Sequence, residues 1–349
     1  MNLLYSFLHF LVKITLPLYY RRVHVSGIEN LPNDKPVLLA VNHQNAFLDA
    51  VLVVYQLNRQ AYFLARSDVF KNRVVGKILR KLNIVPIYRS QDGTGVKNNG
   101  EVFNWCYHTL SENKWVLIFP EGTCEPQQHM HPLKKGMARI ALGAVEKYPD
   151  LDLQIVPVGL NYSEHMGFRS DVWIDYGTPI SVRDIALSDK GSGEKINALT
   201  AAVEFELRKV VLHHEMEGYA EAAEAMRHNI AALRPQSGRT LVDIKKSALS
   251  SEKSFSAKPN FWRELFSFPL LLVHRPLYFA IDAMAAKLTG MDAFFPSVKY
   301  GLCALLFPFY WLFLSLFLTY MLQVPTLLVF PIWLLFPVSL WAGLKIKKV

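Results

Sequence analysis

The feature that most constrains the fold lies late in the chain: Gly301 to Gln323 (GLCALLFPFYWLFLSLFLTYMLQ) carries no charged residue across 23 positions. As a helix it reaches about 30 Å or slightly more, enough to cross the hydrocarbon core of a bilayer. Val324 and Pro325 break the run, and a second uncharged stretch, Thr326 to Leu344, leads into Lys345, Lys347 and Lys348. A transmembrane helical hairpin over 301–349 with both ends cytosolic puts these lysines, and Lys299 before them, on the side where positive charge accumulates. The competing arrangement is a pair of core helices buried inside a soluble protein.

Residues Met1 to Tyr20 are also largely apolar, but His9, Lys13 and Pro17 interrupt them and Arg21-Arg22 follow. A cleaved leader would carry its positive charge first and end in small residues, and this segment does neither. It reads as an uncleaved helix lying in the membrane interface over 1–25. A single span is the alternative, disfavoured because Lys13 at mid-depth is costly.

Hydrophobic residues make up 51% of the chain, and the longest apolar runs lie at its two ends, so the middle reads as a water-facing domain between membrane-contacting flanks. A formal net charge of +9 favours an anionic partner. Zinc-finger spacing, a long Lys/Arg run and an RNA-recognition signature are all missing, which sets nucleic acid aside in favour of membrane lipid. Cys106, Cys124 and Cys303 are odd in number and lack metal-type spacing, so neither a disulfide framework nor a zinc site is implied. His213-His214-Glu215 lacks the further His that a helical zinc motif needs and reads as a solvated face.

Between about Pro36 and Arg183, short apolar β-type runs alternate with amphipathic ones. VLLAV (Val37 to Val41), NIVPIY (Asn83 to Tyr88), WVLIF (Trp115 to Phe119), LQIVPVGL (Leu153 to Leu160) and VWIDYG (Val172 to Gly177) read as strands. Helices are expected at Asp49 to Tyr55, Val74 to Leu82, Gly100 to Ser111 and Lys135 to Lys147. The result is an α/β domain over 26–187, with a mixed, largely buried sheet flanked by helices. A helical extension and linker over 188–260 and an amphipathic interfacial region over 261–300 complete the plan.

Four pieces carry chemistry. The strand VLLAV runs into Asn42-His43-Gln44-Asn45-Ala46-Phe47-Leu48-Asp49, a His at a sheet's mouth with a carboxylate shortly after it, the parts of a general base and its orienting partner. A turn and a helix cap would use the same residues. Strand WVLIFP empties into Glu121-Gly122-Thr123, at the C-terminal edge where α/β sheets gather ligand-binding groups, and Lys134-Lys135 place two cations before a helix, where an anion also meets free amides. NIVPIY delivers Arg89, a residue suited to gripping phosphate. Val156-Pro157-Val158-Gly159 has no reactive group and serves packing or the shape of an acyl channel.

In order and spacing these four pieces resemble the glycerolipid acyltransferase family that includes 1-acylglycerol-3-phosphate O-acyltransferases and glycerol-3-phosphate acyltransferases, over roughly Ser26 to Ser181. The resemblance implies that His43 and Asp49 are catalytic, and that Arg89 and Glu121-Gly122, with Thr123, Lys134 and Lys135 beside them, bind the acceptor. It also implies an acyl-CoA or acyl-ACP co-substrate, no metal or redox cofactor, and membrane lipid, with acyl carrier protein as an optional partner. The expected activity is acyl transfer to the hydroxyl of 1-acyl-glycerol 3-phosphate in phospholipid biosynthesis, with the catalytic domain on the cytoplasmic face. Glycerol 3-phosphate and a lyso-aminolipid are the alternative acceptors, and a lipid-binding membrane scaffold is the non-enzymatic alternative.

The chain departs from the family in two places. Five residues separate His43 from Asp49 where the family usually has four, a spacing shared with some fungal-type glycerol-3-phosphate acyltransferases. At 100° per residue these positions do not face each other on one straight helix, so the pair can meet only if His43 sits in a loop and the helix begins after it. Cys124-Glu125 follow Thr123 where the family commonly has a basic residue. Cys124 as a covalent acyl carrier is a minor alternative, since nothing in the sequence pairs it with a base.

Overall fold

The computed structural model describes residues 3–88, 99–126, 129–168, 170–212, 261–290 and 292–348. Its centre is an eight-stranded mixed sheet in the order β1-β7-β6-β2-β5-β3-β4, with β8 attached to β6. Strands β2 (Val37–Val41), β3 (Ala61–Arg66), β4 (Ile84–Ile87), β5 (Trp115–Ile118) and β6 (Gln154–Tyr162) are parallel. β7 (Asp171–Tyr176) runs against β6, β1 (Arg22–Ser26) pairs parallel with β7, and the short β8 (Ile180–Ser181) lies antiparallel on the start of β6.

The alternation along each strand divides two cores. Val37, Leu39 and Val41 of β2, Trp115 and Leu117 of β5, and Val156, Val158, Leu160 and Tyr162 of β6 face one side. Leu38, Ala40, Val116, Ile118 and Ile155 face the other. A central strand buried on both faces has no use for polar residues, which is why VLLAV is uniformly apolar. Each fully buried Leu or Val contributes about 1.5–3 kcal/mol relative to exposure.

The second core is roofed by α4 (Asn99–Ser111), α5 (Gly136–Lys147) and α7 (Ser192–Val210), the last presenting Leu199, Val203 and Leu207 at four-residue spacing. Helix α7 therefore packs with the sheet, and the boundary expected at 187 falls inside the packed unit. Its C-terminal end comes so close to β6 that a Cβ on Gly159 would lie 2.0 Å from the Val210 carbonyl oxygen, which makes glycine obligatory there. Between strands the chain adds α2 (Phe47–Gln56), α3 (Arg73–Lys81) and, after β8, the short α6 (Val182–Ala186). Residues 213–260, including His213-His214-Glu215 and most of the expected linker, lie outside the described residues.

The first core is closed by α1 (Leu3–Tyr19), α2 and the C-terminal helices α8 (Phe261–Leu272), α9 (Arg275–Thr289), α10 (Phe295–Met321) and α11 (Val329–Lys348). α10 begins at Phe295, earlier than the hairpin start expected at 301, so Lys299 lies within it. Lys299 is buried, not flanking the span: its ammonium sits 2.5 Å from Asp282 of α9 and over the rings of Tyr278 and Phe295. Tyr300, Cys303, Phe307 and Trp311 form the protein-facing stripe of α10, while Leu305, Phe309, Phe313 and Phe317 are exposed. Phe295–Met321 and Thr326–Gly343 are each long and apolar enough to cross a bilayer. An apolar band of this extent suits contact with a membrane. On α1, Leu3, Phe7, Phe10, Leu11 and Ile14 are exposed while Tyr5, Leu16 and Tyr19 pack inward, as in a helix with one face toward lipid.

Candidate active site

The site is assembled where β2 ends. Just past Val41, the Asn42 side chain pairs with β6 as a strand residue would: its amide donates to the Leu160 carbonyl at 2.9 Å and its oxygen accepts the Leu160 N–H at 2.6 Å. The chain then turns through His43 to Ala46, and α2 starts at Phe47. His43 thus sits in a loop ahead of the helix, the one arrangement that lets the longer spacing work. The turn is tight, since Ala46 adopts φ 46° and ψ −126°, a region costly for a residue with a Cβ.

Asp49 lies in the first turn of α2 and is fully buried. Its Oδ2 accepts the backbone N–H of Gln44 at 2.7 Å, that of Asn45 at 2.8 Å, and the ring Nδ1 of His43 at 2.9 Å. Its Oδ1 accepts the hydroxyl of Tyr162 on β6. Four donors thus converge on one carboxylate, three on Oδ2 and one on Oδ1, at a helix N-terminus where negative charge is favoured. An ionised carboxylate can only accept, so the proton on His43 resides at Nδ1 and the lone pair at Nε2. The imidazole is 18% exposed, which leaves it reachable, and it stacks on Phe119 at 3.8 Å between ring centroids. Burial, reinforced by the Asp49 charge, pushes the Tyr162 phenol well above its ordinary range, so it remains a hydrogen-bond donor.

Glu121 lies beside the His43 loop and is hydrogen-bonded to it. It is 1% exposed, and its two oxygens accept backbone amides, Oε1 from His43 at 3.1 Å and Oε2 from His131 at 2.9 Å. Its carboxylate braces the loop that presents His43. Burial pushes its pKa up to about 7, against the pull of those two hydrogen bonds. Gly122 makes the turn after it with φ 67°, and a Cβ there would lie 3.3 Å from the Lys134 side chain. Thr123 is half-buried, and Lys134 and Lys135 are exposed at the start of α5, with the Lys134 N–H bonded to the Pro120 carbonyl at 2.7 Å. Arg89 lies outside the described residues.

Cys124 faces the same centre. Its sulfur accepts the Ala46 N–H at 3.1 Å, and His43, Asp49 and Cys124 bring one donor atom each within 4.8 Å of one another. Burial, then the Asp49 charge, drives the Cys124 thiol far above its ordinary range, which disfavours the thiolate a covalent carrier would need. In place of the family's basic residue, Glu125 lies 3.2 Å from His131.

Three contributors escaped the sequence reading. Tyr162 belongs to β6, which runs two residues past the expected end at Leu160, and its parity with Val156, Val158 and Leu160 is the signal that could have found it. His165 meets the Gln44 side chain at 3.0 Å. Ser297, at the start of α10, reaches the His43 loop from the far end of the chain; no local pattern marks it.

With this geometry in hand, comparison with known proteins is informative. The sequence model of the Acyltransferase family matches residues 22–161. Glycerol-3-phosphate O-acyltransferase 1 of Saccharomyces cerevisiae is 38% identical over 81 residues, 23% of this chain and 11% of that protein. A 1-acyl-sn-glycerol-3-phosphate acyltransferase of Bacillus subtilis is 27% identical over 193 residues, 54% of this chain and 87% of that one. Among solved structures, the 1-acyl-sn-glycerophosphate acyltransferase of Thermotoga maritima matches with a TM-score of 0.41 and 21% identity, covering 61% of this chain and 79% of the other. The chain spans 11 to 39% of the length of three of its curated relatives, from Saccharomyces cerevisiae, Schizosaccharomyces pombe and Brassica napus. The matched residues include β2, the His43 loop, α2, Glu121 and Leu160, so the His43–Asp49 pair lies inside the part of the chain that is similar to the Acyltransferase family.

Proposed function

We propose that the protein is a membrane-bound O-acyltransferase that moves a fatty acyl group from a thioester to the hydroxyl of 1-acyl-glycerol 3-phosphate. The observation that carries this reading is the His43 imidazole, held at Nδ1 by the buried Asp49 carboxylate with Nε2 as the accessible base, within the residues that match the Acyltransferase family.

In the proposed reaction, Nε2 of His43 takes the proton of the acceptor hydroxyl as its oxygen attacks the thioester carbonyl. Asp49 stabilises the imidazolium that forms and keeps the ring from turning. The tetrahedral intermediate collapses by breaking the carbon–sulfur bond, and the imidazolium returns the proton to the departing thiolate. Ester and free thiol are the products, and no acyl-enzyme forms, which suits a Cys124 thiol that resists ionisation. Lys134 and Lys135, exposed at the start of α5 with its free amides, together with Arg89, supply the cationic field for the acceptor phosphate.

The acceptor follows the Bacillus subtilis relative, which is aligned over most of its length. Glycerol 3-phosphate is the second reading, favoured by the yeast relative's higher identity over a short segment. A catalytic domain on the cytoplasmic face accords with the lysines that close α11. Purified protein in lipid micelles, given radiolabelled acyl-CoA or acyl-ACP and a panel of 1-acyl-glycerol 3-phosphate, glycerol 3-phosphate and lyso-aminolipid, tests all of this together. Labelled phosphatidic acid is the expected product. Transfer only to glycerol 3-phosphate would move the assignment to the second reading, and no transfer to any acceptor would reject both.

A further inference from the structure

The hydroxyl of Ser297 sits at a junction the catalytic chemistry does not explain. Its Oγ accepts the backbone N–H of Leu48 at 2.9 Å and donates to the backbone carbonyl of Asn45 at 2.8 Å. These two groups bracket Ala46, the residue with the costly backbone, and Leu48 directly precedes Asp49. The same Asn45 donates its N–H to the Asp49 carboxylate. The Leu48 N–H also bonds the Asn45 carbonyl directly at 3.0 Å, so the hydroxyl reinforces from outside the turn whose other hydrogen bonds set the position of the His43–Asp49 pair.

Ser297 belongs to the first turn of α10, a membrane-contacting helix well beyond the residues that match the acyltransferase family. That turn is itself held from a second side. Thr15 of α1 bonds the Tyr300 hydroxyl at 2.7 Å, and the rings of Tyr19 and Tyr300 meet edge to face at 5.3 Å. The start of α10 is thus fixed between α1 and the catalytic loop, so that loop takes its shape partly from a helix seated in the membrane.

We propose that Ser297 is a positioning residue for acyl transfer: its hydroxyl clamps the 45–48 turn and makes the seating of α10 part of the catalytic geometry. The inference rests on the His43–Asp49 reading above. Removing the hydroxyl leaves only the direct Leu48–Asn45 bond to hold a turn that opposes its own backbone preference, and small displacements of a base and its partner cost rate much more than binding. The barrier rises while the substrate contacts stay in place.

The test compares Ser297→Ala, Ser297→Thr and His43→Ala in the full chain, reconstituted in phosphatidylcholine vesicles, by kcat and KM for both substrates and by thermal midpoint. Ser297→Ala is expected to lower kcat roughly 10- to 100-fold with both KM values unchanged. Ser297→Thr, which keeps a hydroxyl at the same helical position, is expected to recover most of that loss. A purely structural role would lower the midpoint and leave kcat per folded molecule intact, and that result overturns the proposal. So does a Ser297→Thr variant as impaired as Ser297→Ala. Activity surviving in His43→Ala would instead reject the underlying dyad, so the two failures are distinguishable.

Discussion

Replacing Asp49 with Asn probes the pair at its strongest interaction. The change keeps volume and shape, and one oxygen can still accept the Gln44 and Asn45 amides, so the turn and α2 stay formed. What disappears is the negative charge facing an imidazolium that exists only during the reaction. At the observed 2.9 Å between Nδ1 and Oδ2, a unit charge pair at an effective dielectric constant of about 20 interacts by about 6 kcal/mol. At about 1.36 kcal/mol per decade this is roughly 10⁴-fold in rate, the same size as the loss when the equivalent Asp of a serine-protease triad becomes Asn. The ground state contains no imidazolium, so KM for acceptor and donor should hardly move. Thiol release from the acyl thioester, followed continuously with circular dichroism as a check on folding, measures it. A folded Asp49→Asn protein retaining more than about a tenth of wild-type kcat would refute the reasoning, because no electrostatic role of the computed size could then exist.

Two further substitutions separate support from chemistry. Glu121→Gln should cost about 1–3 kcal/mol, since one backbone N–H would face an amide nitrogen instead of an acceptor; chemical denaturation measures this. Glu121 also carries a pH signature: its folded pKa of about 7 lies above the ordinary 4.5, so its contribution to stability is full below pH 4.5 and lost as pH rises through 7. That window is worth about 3 kcal/mol, and it should vanish from the stability-versus-pH curve of Glu121→Gln; an unchanged curve would show that Glu121 is not the group responsible. Cys124→Ser should keep kcat within about twofold, because a hydroxyl can also accept the Ala46 N–H and no acyl-cysteine is formed. A hundredfold loss, or a trapped acyl-thioester on the chain, would contradict the direct-transfer mechanism.

The central sheet was legible because its inner strands obey a rule visible in one dimension. VLLAV, WVLI and the start of β6 are continuous apolar runs, as strands buried on both faces must be. β1 (RVHVS) and β3 (AYFLAR) escaped because they carry polar residues, and their pairing is decided by partners distant in sequence. The same division holds at the site. His43 and Asp49 could be read because both sit within one strand-to-helix connection. Tyr162 lies 113 positions from the carboxylate it serves and Ser297 lies 252 from the carbonyl it holds, and nothing local records either contact. Glu121 was legible from its place at a strand end, but its two backbone partners, 78 and 10 positions away, were not. The hairpin start was read from absence of charge, and a buried Lys299 with its own counter-ion defeats that criterion.

The central claim is that His43 takes the proton from the acceptor hydroxyl during acyl transfer. The most direct measurement is single-turnover transfer of a labelled acyl group from its thioester to 1-acyl-glycerol 3-phosphate, in wild-type and His43→Ala protein of equal thermal midpoint. His43→Ala is expected to lower the transfer rate by about 10³-fold or more with acceptor binding retained. Transfer by the His43→Ala protein within tenfold of wild type would contradict it.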